Sequence, residues 1–393
     1  MSDPGESTLM VMPDDSAPVV VAPSPENPVA LRRADIEAKQ QILSRIISDL
    51  DCEAAVLLMP AHVSWLSSGM AVRGLIADSE RPGIYTNGIQ RYVICSNADT
   101  HRVFDEELDG LGFQLKEWHW TTGRASLLGE LIAGKKVAVD RPYPGLPLIN
   151  ERLRHELHPL TQYEFDQYLV LGRILAHALE ATANETVPGM TEADVAGEIA
   201  HRLVRRAANP EMISVTAEER GSLYRRSGYT NSMITTACLM QATASMNGLH
   251  VTASRTVLFG TNNPGYRSAF DTACKLSAIN RSMSVPNESM ATVNEAGRWL
   301  LSTTPHEYDW RLSQPGFGTG RLPAEELRRM GRDEPFVAGQ PLVWQARVGP
   351  AAVVDTVVVT ENGPVPMTGP QDWPFKRIRL KDRVNDIPDV LIK

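Results

Sequence analysis

Few side chains in this 393-residue sequence combine a type and a spacing that can do chemistry. His250 stands two residues before Thr252 in the β-rich run Leu249-His250-Val251-Thr252, so strand alternation puts both on one face. A neutral imidazole there can act as a general base near pH 7, or can sit hydrogen-bonded as a structural histidine. His306-Glu307-Tyr308-Asp309-Trp310 puts an imidazole beside two acids, either as proton carriers lining a pocket or as a solvated turn. Arg347 follows Gln345 by two residues and shares its face, suited to an anion or to a structural ion pair. Arg226 offers a guanidinium for bidentate carboxylate binding, with plain surface charge as the alternative. In Trp118-His119-Trp120 an extended backbone turns both indoles to one face, toward a cationic ligand or the domain core. His119 has no second histidine beside it, which makes it a poor metal ligand and a better surface imidazole.

Composition removes several classes. A net charge of −8 with only short, isolated basic clusters leaves no stripe to neutralise nucleic-acid phosphates. Cys52, Cys95, Cys238 and Cys274 lie far apart, with no zinc knuckle and no disulfide framework in their spacing. No apolar run reaches the length of a membrane span, and no basic region followed by an apolar core opens the chain. A cytoplasmic protein is therefore expected.

Elements must hold these side chains in place. Residues up to about Asn27 are rich in Pro, Ser, Asp and Glu and read as a flexible tail. A helix is expected over Arg32–Leu50, with Ile36, Ile42, Ile46, Ile47 and Leu50 inward. Strands at Ala54–Met59, Tyr92–Ser96 and Lys136–Asp140 alternate with helical segments, one of them over His101–Leu111. Thr161 with Glu164, and Thr191 with Asp194, read as capping pairs that start two long helices. Strands at Ile213–Thr216, Ser232–Met240 and Thr252–Phe259 are expected next. Helices at Tyr266–Met283 and Ser289–Leu301 follow, then a glycine-rich loop and two closing strands.

Four local patterns, in order, resemble the pita-bread family of creatinase, aminopeptidase P, prolidase and methionine aminopeptidase. Val63-Ser64-Trp65-Leu66-Ser67-Ser68-Gly69 is similar to a motif of the family's N-terminal domain. Leu160 to Glu192 resembles its helix pair, joined by a P-G-x-T-E turn. Gly248 to Gly260 resembles a strand that reads G-Y-x-x-D-x-T-R-T-x-x-x-G, and Asp355 to Gly363 resembles the closing E-D-x-x-x-V-T-E-x-G.

The resemblance implies a pocket and marks where this chain departs from it. Family metalloenzymes hold two divalent ions with two aspartates, a histidine and two glutamates. Their columns here carry Gln241, Thr252, Phe317, Gln345 and Val354; a shifted gap would put Ser313 or Gln314 in the histidine column. Two amides, a hydroxyl, a phenyl and an isopropyl group do not balance two dications. Creatinase works without metal, yet its acid–base histidine falls in Arg225-Arg226-Ser227-Gly228-Tyr229, and its glutamates fall on Ser254 and Val354. Its mechanism is not carried over either.

The expected architecture is α/β (α+β). A flexible tail at 1–31 precedes a creatinase-like domain at 32–158. A pita-bread domain at 159–393 follows, its curved antiparallel sheet covered by helices. The expected function is a metal-independent enzyme acting on a small amino-acid-derived molecule by cofactor-free hydrolysis or elimination. His250, or His306, Glu307 and Asp309, would move protons. Arg226, Tyr229, Gln241, Thr252, Ser254, Phe317, Gln345, Arg347 and Val354 would line the substrate pocket. The alternative is an inactive relative that binds a ligand, peptide or protein; metal held through His250 or the His306–Asp309 cluster is a third reading. Relatives imply a homodimer, with the Arg73 loop and the Trp118–Trp120 stretch near a neighbour's site. Neither cofactor, nucleic acid nor membrane is expected as a partner.

Overall fold

The computed structural model describes residues 28–393 apart from 72, 73, 76, 218, 219, 261, 262, 313, 326, 327, 330, 331 and 381, and only the backbone of 222, 328, 329 and 332. The tail to residue 27, Arg73 and Ser313 lie outside the described residues.

Helix α1 (Pro28–Asp49) begins four residues before the expected boundary and buries Ile36, Leu43, Ile46 and Ile47 at helical spacing. Asp35, Lys39 and Gln40 are buried with them, while Ile42 and Leu50 only flank the core. The first sheet consists of β1 (Ala54–Leu57), β2 (Gly83–Thr86), β3 (Arg91–Ser96), β4 (Gln114–Trp118) and β5 (Val137–Val139), ordered β4-β3-β2-β1-β5. Helices α2 (Pro60–Leu66), α3 (Arg124–Ile132) and α4 (Asn150–Leu157) complete this half. Strand β4 escapes sequence reading because Gln114-Leu115-Lys116-Glu117 is a polar edge strand, with no apolar run to announce it. The helix expected over His101–Leu111 is one turn, Thr100–Arg102, that widens into a π-helix at Val103–Leu108.

Trp118-His119-Trp120 corrects its expectation. The chain turns after β4, with Thr122 N–H donating to His119 O, so the indoles part. Trp118 enters the core, and Trp120 is 68% exposed, stacked against His119 at a centroid distance of 6.0 Å.

Helices α5 (Gln162–Glu185) and α6 (Glu192–Arg205) start at the two expected capping boxes. Leu171, Leu175 and Leu179 of α5 pack with Val195, Ile199 and Leu203 of α6 against a second sheet. Its strands are β6 (Asn209–Ala217), β7 (Ala237–Met246) and β8 (Leu249–Leu258). Strand β7 starts five residues later than expected, because Ser232–Thr236 pairs elsewhere. Ser232 O takes Glu192 N–H and Ile234 N–H donates to Met190 O, tying this stretch to the start of α6.

Helices α7 (Pro264–Ser282) and α8 (Met290–Leu301) then cover a third sheet. It is built from β9 (Gly316–Gly318), β10 (Pro341–Val348), β11 (Ala351–Val358) and β12 (Val365–Pro366). A hairpin of β13 (Phe375–Leu380) and β14 (Arg383–Pro388) precedes β15 (Val390–Ile392), which pairs in parallel with β8.

Alternation fixes what each strand presents. Val251, Ala253 and Val257 of β8 join the core under α5, where Arg255 meets Glu180 with N–O distances of 2.9 and 2.7 Å. His250, Thr252 and Ser254 therefore take the opposite face. On β11, Asp355 turns toward α7 and accepts from Arg281 at 3.0 Å, which leaves Val354 and Thr356 on the inner side. The two sheets meet along β8 and β11: Val354 N–H donates to Ser254 Oγ at 2.8 Å.

Candidate functional site

The residues expected to share one pocket fall into three groups along this inner face. The middle group is packed shut. Phe317 lies against Leu239, Val343, Ala352 and Val354, and both Val354 and Thr252 are 0% exposed. Thr252 Oγ1 lies 2.8 Å from Thr243 Oγ1, and Ser254 Oγ is held by Val354 N–H. Branched and aromatic side chains fill this volume, and each hydroxyl is satisfied internally. Thr252, Phe317 and Val354 take no part in the walls of the His250 cleft or of the cavity beside Arg347.

His250 forms the second group. Its side chain lines a cleft of about 520 Å³ between the turn joining β7 to β8 and the segments around α2. Gly248 makes that approach possible. Its φ is +71°, and a Cβ there would lie 2.4 Å from Ser64 Cβ. His250 Nδ1 is 3.1 Å from Gly320 O. A carbonyl can only accept, so Nδ1 carries the proton and Nε2 keeps its lone pair. Burial pushes the imidazole below its usual value, against the opposing influence of the Gly320 bond and of nearby Glu211. Burial thus favours the neutral imidazole.

Glu211, Ser245 and Arg321 share the cleft, and sequence reading did not single them out. Ser245 stands directly across the ladder from His250 and donates to Glu211 on β6. Arg321 pairs with Glu164, which also meets Lys39. Burial, followed by the charge of Arg321, holds the Lys39 ammonium down to about 7, despite its contact with Asp35 at 2.5 Å. The available signals were the position of Arg321 directly after the glycine-rich loop and that of Glu211 near the head of a strand.

The third group lies beyond Ser254, roughly 13 Å along β8 from His250. There Arg347 donates to Gln241 Oε1 at 2.5 Å. Burial foremost, then the charges of Arg225 and Arg226, hold its guanidinium down to about 10. Gln345 lines a small cavity with Arg347 and Asp309. Asp309 Oδ2 accepts Gly349 N–H at 2.6 Å and lies 3.2 Å from Arg225. His306 is near it, with Nδ1 at 3.8 Å, whereas Glu307, Arg226 and Tyr229 are exposed. The structure thus does not bring His306, Glu307 and Asp309 to His250; the filled middle separates them.

Residues 167–361 match the model of metallopeptidase family M24. Among solved structures, dipeptidase PepE from Mycobacterium ulcerans is similar at TM-score 0.69 and 17% identity, over 86% of this chain and 97% of that one. The prolidase from Pyrococcus horikoshii OT3 gives TM-score 0.71 at 13% identity over 85% and 99% of the two chains. The Xaa-Pro dipeptidase from Bacillus anthracis gives 0.70 at 13% over 91% and 100%. No curated protein matches the sequence.

The metals that this family implies do not fit the side chains in their columns. Gln241 is engaged by Arg347, Thr252 by Thr243 and the β11 seam, and Phe317 and Val354 offer no donor. Among the described residues, no group of three His, Cys, Asp or Glu side chains is placed to hold a metal ion. Also among them, no helix is long and apolar enough to cross a membrane. With helix pairs backing two joined sheets behind an N-terminal α/β half, this chain has the pita-bread fold of the prolidase and dipeptidase structures it is similar to, and its residues 167–361 match metallopeptidase family M24.

Proposed function

We propose that the protein is a hydrolase of the pita-bread family that works without metal on a small amino-acid-derived molecule bound in the His250 cleft. One observation carries this reading: an imidazole with Nδ1 tied to a carbonyl, and with no Nε2 hydrogen bond among the described residues, lines a cleft of about 520 Å³. In this mechanism Nε2 takes a proton from water as its oxygen attacks the carbon of a C–N bond. The imidazolium returns that proton to the leaving nitrogen as the bond breaks. Arg321 and Glu211 orient the polar end of the substrate, and Met59, Val63 and Leu75 face its apolar part. In the same reading 32–158 and 159–393 are separate domains, and the protein is a cytoplasmic homodimer.

A specific observation favours a second reading. The middle of the inner face, where relatives are expected to keep their reacting centre, is packed with Phe317 and Val354. That suits a protein that binds a ligand without turning it over.

One experiment separates the two. A panel of dipeptides, N-acyl amino acids and amidino acids is incubated with protein in a chelator, alongside His250→Asn. Turnover that survives chelation and falls roughly a hundredfold in the variant supports the enzyme. Saturable binding without turnover supports the second reading. Turnover that needs added manganese or zinc overturns both.

A further inference from the structure

At the far end of the inner face, strand β10 runs on past β9 while staying paired with β11. Strand β9 pairs with Leu342, Val343 and Trp344; next to them Gln345 N–H donates to Pro315 O at 2.8 Å, and residues of α7, α8 and the turn Asp309–Arg311 gather beside Gln345 and Arg347. A cavity of about 30 Å³ lies there, with Asn280, Gln345 and Arg347 in its walls. Asn294, Arg298, Trp310 and Pro315 line both this cavity and an open groove of about 980 Å³, so the cavity adjoins the groove as its floor.

Donors outnumber acceptors on that floor. Asn280 is 1% exposed, and its Nδ2 has no partner among the described residues. Arg347 gives Nη2 to an amide oxygen and meets no carboxylate among the described residues. Arg298 lies over the Trp310 ring, its guanidinium carbon 3.9 Å from the centroid, which fixes its plane. The acid within reach, Asp309, is already occupied by Gly349 N–H and Arg225. The groove lining carries three acids, Glu295, Glu307 and Asp333, against two arginines, Arg298 and Arg311, so attraction for an anion rests on the floor. A guanidinium held away from water without a counter-charge is unfavourable until an anion meets it.

We propose that this floor binds the anionic group of a small molecule, a carboxylate or a phosphate. Arg347 and Asn280 donate to its oxygens, and Arg298 approaches from the groove. The cavity has room for roughly one or two oxygen atoms, with the body of the ligand lying along the groove. This site is independent of the His250 cleft and stands whether or not that cleft is catalytic.

Calorimetric titration of the full-length protein with inorganic phosphate and, separately, with malonate at constant ionic strength tests it. At least one binds saturably, and Arg347→Gln weakens it roughly tenfold or more. Asn280→Ala weakens it less, and His250→Asn leaves it unchanged. Binding of phosphate alone identifies a phosphorylated ligand, and binding of malonate alone a carboxylate. Absence of saturable binding by either anion overturns the proposal, as does equal binding by wild type, Arg347→Gln and Asn280→Ala. Loss of binding in His250→Asn also overturns it, by placing the anion in the cleft. If Arg347→Gln does not fold, Asn280→Ala and Arg298→Gln decide by the same criterion.

Discussion

Thr252 and Thr356 exchange hydrogen bonds across the seam between the two sheets. Thr252 N–H donates to Thr356 Oγ1 at 2.8 Å, and that hydroxyl donates to Thr252 O at 2.8 Å. The residue in a family metal-ligand column thus fastens one sheet to the other.

Restoring an acid there should harm the protein. Thr252→Asp puts a carboxylate into a site that is 0% exposed, between the hydroxyls of Thr243 and Thr356. The expected loss is about 3 kcal/mol or more in urea unfolding. Added manganese or zinc should not recover it, because Gln241, Phe317, Gln345 and Val354 still supply no second anionic ligand. Recovery by metal would show that the ligand set is more complete than the donor chemistry allows.

The Glu180 carboxylate accepts from buried Arg255 and also caps Gln371 N–H and Asp372 N–H. Glu180→Ala strands the guanidinium in the core between α5 and β8. A loss of about 3–5 kcal/mol is expected, read from the denaturation midpoint. A change under about 1 kcal/mol would mean that water reaches Arg255.

Acid should reveal His250. Its folded pKa lies below the ordinary 6.5, so as pH falls the unfolded chain takes up the proton first. Stability therefore falls from pH 6.5 down to the folded value, and this group contributes no further change below it. Urea midpoints at about pH 7.5, 6.5 and 5.5 should show that step in wild type and lack it in His250→Gln. If His250 is the base, the acid limb of the pH–rate profile also lies below 6.5.

Gly248→Ala should open the cleft. A Cβ in that left-handed conformation meets Ser64 at 2.4 Å, so the β7–β8 turn and α2 cannot keep their approach. A cost of about 1–3 kcal/mol is expected. Faster hydrogen exchange should be confined to residues around 60–66 and 245–250. Gly189→Ala also changes a positive-φ glycine, but one with open space at its Cβ, and so serves as the control.

Much of the fold was legible because its signals are local. Thr161 with Glu164 and Thr191 with Asp194 form capping boxes at three-residue spacing, and both start helices as expected. Strand alternation is likewise local: it sets Asp355 on the outer side of β11, away from Val354. Strand β4 and the hairpin Phe375–Pro388 were not legible, because edge strands exposed to water carry polar side chains and no apolar run.

By itself, the sequence determined which side chains occupy the family's ligand columns. With Gln241, Thr252, Phe317, Gln345 and Val354 there, the missing negative charge follows from residue identity alone. Only the tertiary structure decided that these positions do not form one pocket. Phe317 and Val354 close the middle of the inner face, leaving His250 in one cavity and Arg347 in another. The partners that define each end, Glu211 and Gly320 for His250 and Asn280 and Gln241 for Arg347, come from different elements. They converge through packing of strands and helices, and no spacing along the chain encodes which cavity a side chain will reach.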